Sequence, residues 1–162
     1  MNAGKAPELR AEIADELQNL GSLVNLLSTQ RDRIPENREI RSVYLESMAL
    51  KLHNFYTGIE RIFRKIAEDL NGGLPPSSEW HKRLLLSMSL TLDSIRPAVI
   101  SKDTLSLLED YLSFRHVVRN IYGFEIKEEK LFPLVKNIGK VWNEFSRDMN
   151  EFLLFLEEIQ GA

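Results

Sequence analysis

Four stretches of this chain place apolar residues at alternating steps of four and three, and this spacing constrains the fold more than any other feature. The stretches are Ile13, Leu17, Leu20, Val24 and Leu27; Met48, Leu52, Phe55, Ile59, Ile62 and Ile66; Leu107, Tyr111, Phe114, Val118 and Ile121; and Ile138, Trp142, Phe145, Met149, Phe152, Leu156 and Ile159. Such spacing puts the apolar residues of each stretch on one face of an α-helix. No segment alternates with the period of two that indicates a strand. The chain is therefore predicted to be all-α.

Helix-breaking residues fall between these stretches. Pro35 separates the first helix from the second, and Gly72 and Gly73 follow the second helix, where a C-terminus favours glycine. Ser78 is predicted to cap a short third helix, and Ser101 is predicted to cap the fourth. Each predicted helix therefore has a boundary signal of its own.

The remaining boundaries complete the predicted architecture. The third helix is expected to stop at Arg96-Pro97 and the fourth at Gly123, while the last runs from about 128 to 159 with Pro133 near its start. This pattern predicts an up-and-down bundle of five helices, three of them long. Since no repeat or long linker divides the chain, residues 1–162 are expected to form one domain.

Composition and charge exclude several classes of function. The formal net charge of -3 argues against a strongly basic surface that binds nucleic acid through bulk charge, but it leaves room for a local basic site. The absence of cysteine excludes disulfides, a thiol nucleophile and cysteine-ligated zinc. The apolar run at 84–86 is far shorter than the ~18 residues of a membrane helix. Met1–Lys5 lacks the apolar stretch of a signal peptide, so a cytoplasmic protein without membrane association is expected.

Few residues offer metal or cofactor chemistry. No Glu-x-x-His pair exists for a di-iron bundle, and Gly139-Lys140 lacks the other residues of a phosphate loop. His53 is predicted to be a boundary residue of the core. Trp80 is predicted to be a packing anchor, with His81 as a surface or capping residue. No metal and no cofactor are therefore expected.

The end of the fourth helix gathers several polar side chains. Arg115, Arg119 and Tyr122 are spaced by four and three, and His116 and Asn120 form the next row around the helix. Guanidinium groups suit phosphate oxygens, and a histidine can move a proton near neutral pH. Such a set can hold an RNA phosphate and assist attack by the neighbouring 2′-hydroxyl. The alternative is that both arginines pair with acids of a neighbouring helix and Tyr122 packs over the helix end.

This segment resembles the motif of the HepT-like branch of the HEPN superfamily. The stretch 114–123 is similar to the pattern Phe-Arg-His-x-x-Arg-His-x-Tyr-Gly. The blocks at 53–63 and 71–75 and the pair Trp80-His81 also resemble this branch, so the likeness covers roughly residues 40–135. The resemblance implies a HEPN-like helical bundle and a metal-independent ribonuclease toxin.

The resemblance assigns roles residue by residue. Arg115 matches the motif arginine, but Asn120 stands where the family has a histidine, and asparagine cannot take up a proton near pH 7. His116 is the nearest substitute. Tyr122 matches a tyrosine that a partner nucleotidyltransferase adenylylates in some members. Apart from the resemblance, the geometry expected of a bundle predicts that Glu60 and its neighbour Arg61 on the second helix face the fourth helix and orient the motif arginine.

The resemblance also implies partners. The family's site usually forms across a homodimer, and members commonly pair with an MNT-type nucleotidyltransferase antitoxin. Asn120 favours an alternative, in which the protein has lost catalysis and binds a nucleotidyltransferase, RNA or a nucleotide without cutting. A third hypothesis is a purely structural bundle that joins an assembly through an apolar seam on its last helix.

Overall fold

The computed structural model describes residues 5–119 and 126–159, and within these ranges the chain forms five helices and no strand. The helices are α1 (Lys5–Arg31), α2 (Arg38–Leu70), α3 (Trp80–Met88), α4 (Lys102–Arg119) and α5 (Glu128–Glu158). The long helices α1, α2 and α5 have 27, 33 and 31 residues. The prediction of an all-α bundle with three long helices is confirmed.

The helices pack around one apolar core. α1 lies against α2 and α5, α4 also lies against α2 and α5, and the short α3 contacts α2 and α4. The predicted apolar faces supply this core, in which the Phe63 and Phe145 rings meet edge to face with centroids 6.0 Å apart. Edge-to-face contact between Phe55 and Tyr111 joins α2 to α4 in the same way. None of the helices in the described ranges is long and apolar enough to cross a membrane.

Both ends of α2 follow the usual residue preferences of helix termini. Asn37 caps the N-terminus, where its side-chain oxygen accepts the backbone N–H groups of Glu39 at 3.1 Å and Ile40 at 3.2 Å. At the C-terminus the glycines adopt positive φ angles, 81° at Gly72 and 130° at Gly73, which confirms the predicted helix stop.

The predicted end of α3 is wrong. The helix stops at Met88, well before Arg96-Pro97, because the segment that follows folds back around a buried arginine. The Arg96 guanidinium donates to Asn71 Oδ1 at 2.8 Å and to the carbonyl oxygens of Ser87 and Leu90, both at 3.1 Å. These bonds satisfy backbone acceptors at the end of α3, so the helix does not need to continue.

The predicted cap of α3 is also wrong. Glu79 occupies the N-cap position without a side-chain cap bond, and Ser77, one residue before Ser78, accepts the Glu79 backbone N–H at 3.1 Å. The Ser77 bond belongs to the turn before the helix, so α3 begins without a side-chain cap.

A buried carboxylate anchors the start of α4. Ser101 caps the helix as predicted, with its hydroxyl accepting the Thr104 N–H at 3.1 Å. Asp148 of α5 accepts the Ser101 N–H at 2.8 Å and the Thr104 hydroxyl at 2.6 Å. The first turn of α4 is thereby fixed to α5. The predicted end of α4 at Gly123 lies outside the described residues.

Gly58 allows α1 and α2 to approach closely. A Cβ atom at this position would lie 2.6 Å from Leu20 Cδ2, 3.3 Å from Leu20 Cγ and 3.0 Å from Glu16 Oε1. Leu20 is itself buried in the core, so it has little room to move aside. The absence of a side chain at Gly58 therefore sets the distance between α1 and α2 at this crossing.

Substitution of this glycine is expected to destabilise the fold. Gly58→Ala should lower the free energy of unfolding by about 1–2 kcal/mol, because overpacking outweighs the gain in helix propensity. Gly139→Ala on α5 is the matched control: nothing lies within 4 Å of the added methyl group. That variant should gain up to about 1 kcal/mol. Urea unfolding of both variants measures the difference, and equal stability would contradict the close approach.

Candidate functional site

A buried carboxylate joins three helices. Glu60 of α2 is only 4% exposed. One carboxylate oxygen accepts a hydrogen bond from His81 Nδ1 of α3 at 2.5 Å. The other oxygen lies 3.4 Å from Nη2 of Arg115 on α4. Since a buried carboxylate is costly without partners, these two contacts account for its place in the core.

The same face of α2 supplies further polar groups to α4. Thr57 lies three positions before Glu60, and His53 lies one turn earlier, so the three side chains share one helix face. The Thr57 hydroxyl accepts a hydrogen bond from Arg115 Nε at 3.3 Å. We name the group His53, Thr57, Glu60, His81 and Arg115 the polar cluster.

Aromatic packing holds His81 in the polar cluster. Its ring stacks on Trp80 with centroids 3.6 Å apart, and the Arg64 guanidinium lies 5.6 Å from the centroid of the Trp80 ring. Trp80 is half-buried in packing against the core, as predicted. The prediction that His81 is a surface or capping residue is wrong, because the ring turns inward to meet Glu60.

Arg115 is held on two of its three nitrogens. Its side chain is 11% exposed, and Nε and Nη2 face Thr57 and Glu60. The third nitrogen, Nη1, makes no hydrogen bond to any residue in the described part of the chain. The alternative in which this arginine pairs with an acid of a neighbouring helix is therefore what the structure shows. That pairing also fixes where the guanidinium lies.

His53 lies beside these charges and is uncharged at neutral pH. Burial lowers its pKa from the ordinary 6.5, and the positive charges of Arg115 and Arg119 lower it further, against the opposing effect of Glu60. Its Nδ1 atom is buried without a hydrogen-bond partner among the described residues. The sequence predicted a core-boundary residue and did not connect His53 to the arginines. The signal was available in the spacing of 53, 57 and 60, which matches one helix face.

Tyr56 is a second titratable group on this part of α2. Burial raises its pKa, with the Glu60 charge adding to the effect, so the phenol keeps its proton at physiological pH. Tyr56 therefore adds no charge to this part of α2.

Arg61 does not take the supporting position predicted for it. It lies about 100° around α2 from Glu60, and this rotation directs its side chain toward α1. There its guanidinium donates to both carboxylate oxygens of Glu16, at 3.1 and 3.2 Å. Of the two residues expected to face the fourth helix, the structure brings only Glu60 to Arg115.

The other predicted site residues lie on or beyond the last turn of α4. His116 and Arg119 are exposed, and Arg119 forms no ion pair with any residue of the described ranges. Asn120 and Tyr122 lie outside the described residues. Across 5–119 and 126–159, no group of three or more histidine and acidic side chains is arranged to hold a metal ion.

Removing the Glu60 carboxylate is expected to destabilise the bundle strongly. Glu60→Ala leaves a buried guanidinium at Arg115 without its counter-charge, which costs about 3–5 kcal/mol. The control is Glu68→Ala, which removes an exposed carboxylate 3.8 Å from Arg64 and should cost less than about 1 kcal/mol. Urea unfolding of the two variants at pH 7 compares them. A Glu60→Ala loss no larger than that of the control would show that the buried contacts are not stabilising.

Comparison with protein families matches the region that contains the polar cluster. The matching family model is described as HepT-like protein and covers residues 47–156, about two thirds of the chain. Comparisons with curated proteins and with solved structures gave no significant match. The matched range includes α2 from its third turn, all of α3 and α4, and most of α5. The chain therefore belongs to the HepT-like family of the HEPN superfamily.

Proposed function

We propose that this HepT-like protein is a metal-independent endoribonuclease, the toxin of a toxin–antitoxin pair, with its site at a homodimer interface. The observation that carries the proposal is the placement of Arg115. The buried pair with Glu60 and the bond to Thr57 fix its guanidinium beside an uncharged histidine and next to the exposed Arg119.

The arginines supply the charge that an RNA phosphate needs. A fixed guanidinium costs little reorganisation when a phosphate oxygen binds, and Nη1 of Arg115 is not used by the described residues. The exposed Arg119 stands one turn further along α4. Together they would stabilise the negative charge that develops on the phosphate as the 2′-oxygen attacks, in a protein whose net charge is otherwise -3.

His116 and Asn120 are assigned to the same proposed site. His116 is exposed and is assigned the transfer of a proton in the proposed reaction. Asn120 takes the place of the motif histidine and is assigned the orientation of the 2′-hydroxyl, since an amide both donates and accepts hydrogen bonds. In this proposal the chemistry needs positioning and proton transfer, with no covalent intermediate on the protein.

The proposed homodimer places two copies of α4 against each other. Val117 of α4 is 36% exposed, so the exposed side of this helix is not entirely polar. Two copies would surround one groove with two Arg119 side chains and concentrate positive potential there. The proposed antitoxin is an MNT-type nucleotidyltransferase that adenylylates Tyr122 in the cytoplasm.

A second candidate function is a binding module that no longer cuts. Two observations favour it: Asn120 cannot accept a proton near pH 7, and the Arg115 side chain is largely taken up by contacts within the bundle. Such a protein would bind RNA, a nucleotide or a nucleotidyltransferase through the same surface.

The ribonuclease proposal predicts cleavage of RNA in excess EDTA that depends on Arg115. Arg115→Ala should lower kcat/KM at least about 100-fold, because it removes a fixed charge at the phosphate. Arg38→Ala is the control, since it removes the same charge from an exposed position at the first residue of α2. Equal cleavage by wild type and Arg115→Ala would point to a contaminating nuclease.

The variant Asn120→His separates the two candidate functions. Activity in the wild type shows that Asn120 is no barrier to chemistry. Activity that appears only in Asn120→His supports the binding module, because restoring the motif histidine then restores the reaction.

The proposed site is formed by two subunits, and we call it the composite site. It predicts that the wild type is a dimer held together through α4. Val117→Glu should shift the mass measured by light scattering toward the monomer, because a buried charge opposes association. Leu154→Glu changes an exposed leucine on α5 and tests the alternative apolar seam. Loss of the dimer in Leu154→Glu alone would move the interface to α5 and contradict the composite site.

A further inference from the structure

His53 is the residue near the proposed phosphate site that the resemblance does not assign to any role. It lies one turn before Thr57 on the face of α2 that meets α4. Arg115 and Arg119 of α4 act on it as positive charges, and Glu60 of its own helix acts as a negative one. Its place on α2 faces the same guanidinium groups that are proposed to bind RNA phosphate.

We propose that His53 is a further catalytic residue of the proposed ribonuclease, the group that takes the proton from the attacking 2′-hydroxyl. This inference rests on the proposed function, because it assigns a step of that reaction. It also answers the difficulty posed by Asn120, since the proton acceptor then comes from α2 and the motif histidine on α4 is not required.

The imidazole has one ring nitrogen available to a substrate. Nδ1 is buried and has no partner among the described residues. The His53 side chain as a whole is only half-buried, and Nε2 makes no hydrogen bond within the described part of the chain. A neutral imidazole carries one acceptor lone pair, so Nε2 can accept a proton when Nδ1 holds the hydrogen.

The surrounding charges suit a base that acts only when substrate is bound. In the free protein burial lowers the pKa of His53, and the positive charges of Arg115 and Arg119 lower it further, so both effects oppose protonation. A phosphate bound to Arg115 and Arg119 would offset their charge. Protonation of His53 then becomes more favourable at the moment when the 2′-hydroxyl must lose its proton.

The step balances without a co-reactant. Nε2 of His53 takes the proton from the 2′-hydroxyl, the 2′-oxygen forms a bond to phosphorus, and the bond from phosphorus to the 5′-oxygen breaks. The electron pair leaves on the 5′-oxygen, which takes a proton from solvent, and His53 returns its proton to solvent. The products are a 2′,3′-cyclic phosphate and a 5′-hydroxyl.

The test is steady-state cleavage of an RNA oligonucleotide by wild type, His53→Ala and His53→Gln. Both variants should lose about 100- to 10,000-fold in kcat, with KM changed only a few-fold. Added imidazole should restore part of the activity of His53→Ala. Asn54→Ala, a change at the exposed neighbour on α2, is the control and should cleave like the wild type.

A pH profile distinguishes a catalytic role of His53 from a structural one. Wild-type kcat/KM should fall on the acid side with a midpoint below the ordinary histidine value of 6.5, because kcat/KM reports the free protein, in which the base must be unprotonated. This acid limb should disappear in His53→Gln. Unchanged kcat in both variants, or a loss that imidazole does not restore and that leaves the acid limb in place, would overturn the inference while leaving the ribonuclease proposal intact. A wild type that cleaves no RNA would remove both.

Discussion

The buried carboxylate of Glu60 is the contact on which the arrangement around α4 depends. A carboxylate removed from water needs counter-charges or donors, and this one takes His81 from α3 and Arg115 from α4. The pairing of Glu60 with these two residues therefore holds α2, α3 and α4 together. The same contact fixes the guanidinium of Arg115, so one interaction both stabilises the bundle and positions the central group of the proposed site.

A second buried carboxylate complements the first. Asp148 of α5 holds the first turn of α4 through Ser101 and Thr104, while Glu60 holds the helix further along at Arg115. With two polar anchors and an apolar face between them, α4 has little freedom to rotate or slide. A helix constrained in this way can present the charges on its exposed side in a defined geometry, which a phosphate site requires.

The sequence predicted the parts of this fold that depend on local patterning. Apolar spacing located the helices, and Ser101 and the glycines after α2 marked their ends correctly. The stop of α3 was not predictable, because it depends on Arg96 reaching backbone carbonyls that only the folded chain brings near. Local signals describe what a segment prefers, whereas this boundary is set by a long side chain that bridges two segments.

The same distinction between local patterning and contacts across the fold applies to the residues of the candidate site. The motif on α4 was visible as a spacing, and the contact between Glu60 and Arg115 followed an expectation from bundle geometry. The direction of Arg61 depended on one step of helix rotation, and the inward turn of His81 depended on a carboxylate in another helix. The environment of His53 was hidden because the arginines that lower its pKa lie on α4, far away in sequence.

The most direct test of the account is a structure of the protein bound to an RNA that carries a 2′-deoxy nucleotide at the cleavage position. The account predicts a phosphate oxygen within hydrogen-bonding distance of Arg115 Nη1, with the Glu60 contact retained. It also predicts that the 2′-carbon at the cleavage position faces His53. An RNA bound elsewhere on the protein, with no phosphate at Arg115, would contradict the claim that the polar cluster is the site of the reaction.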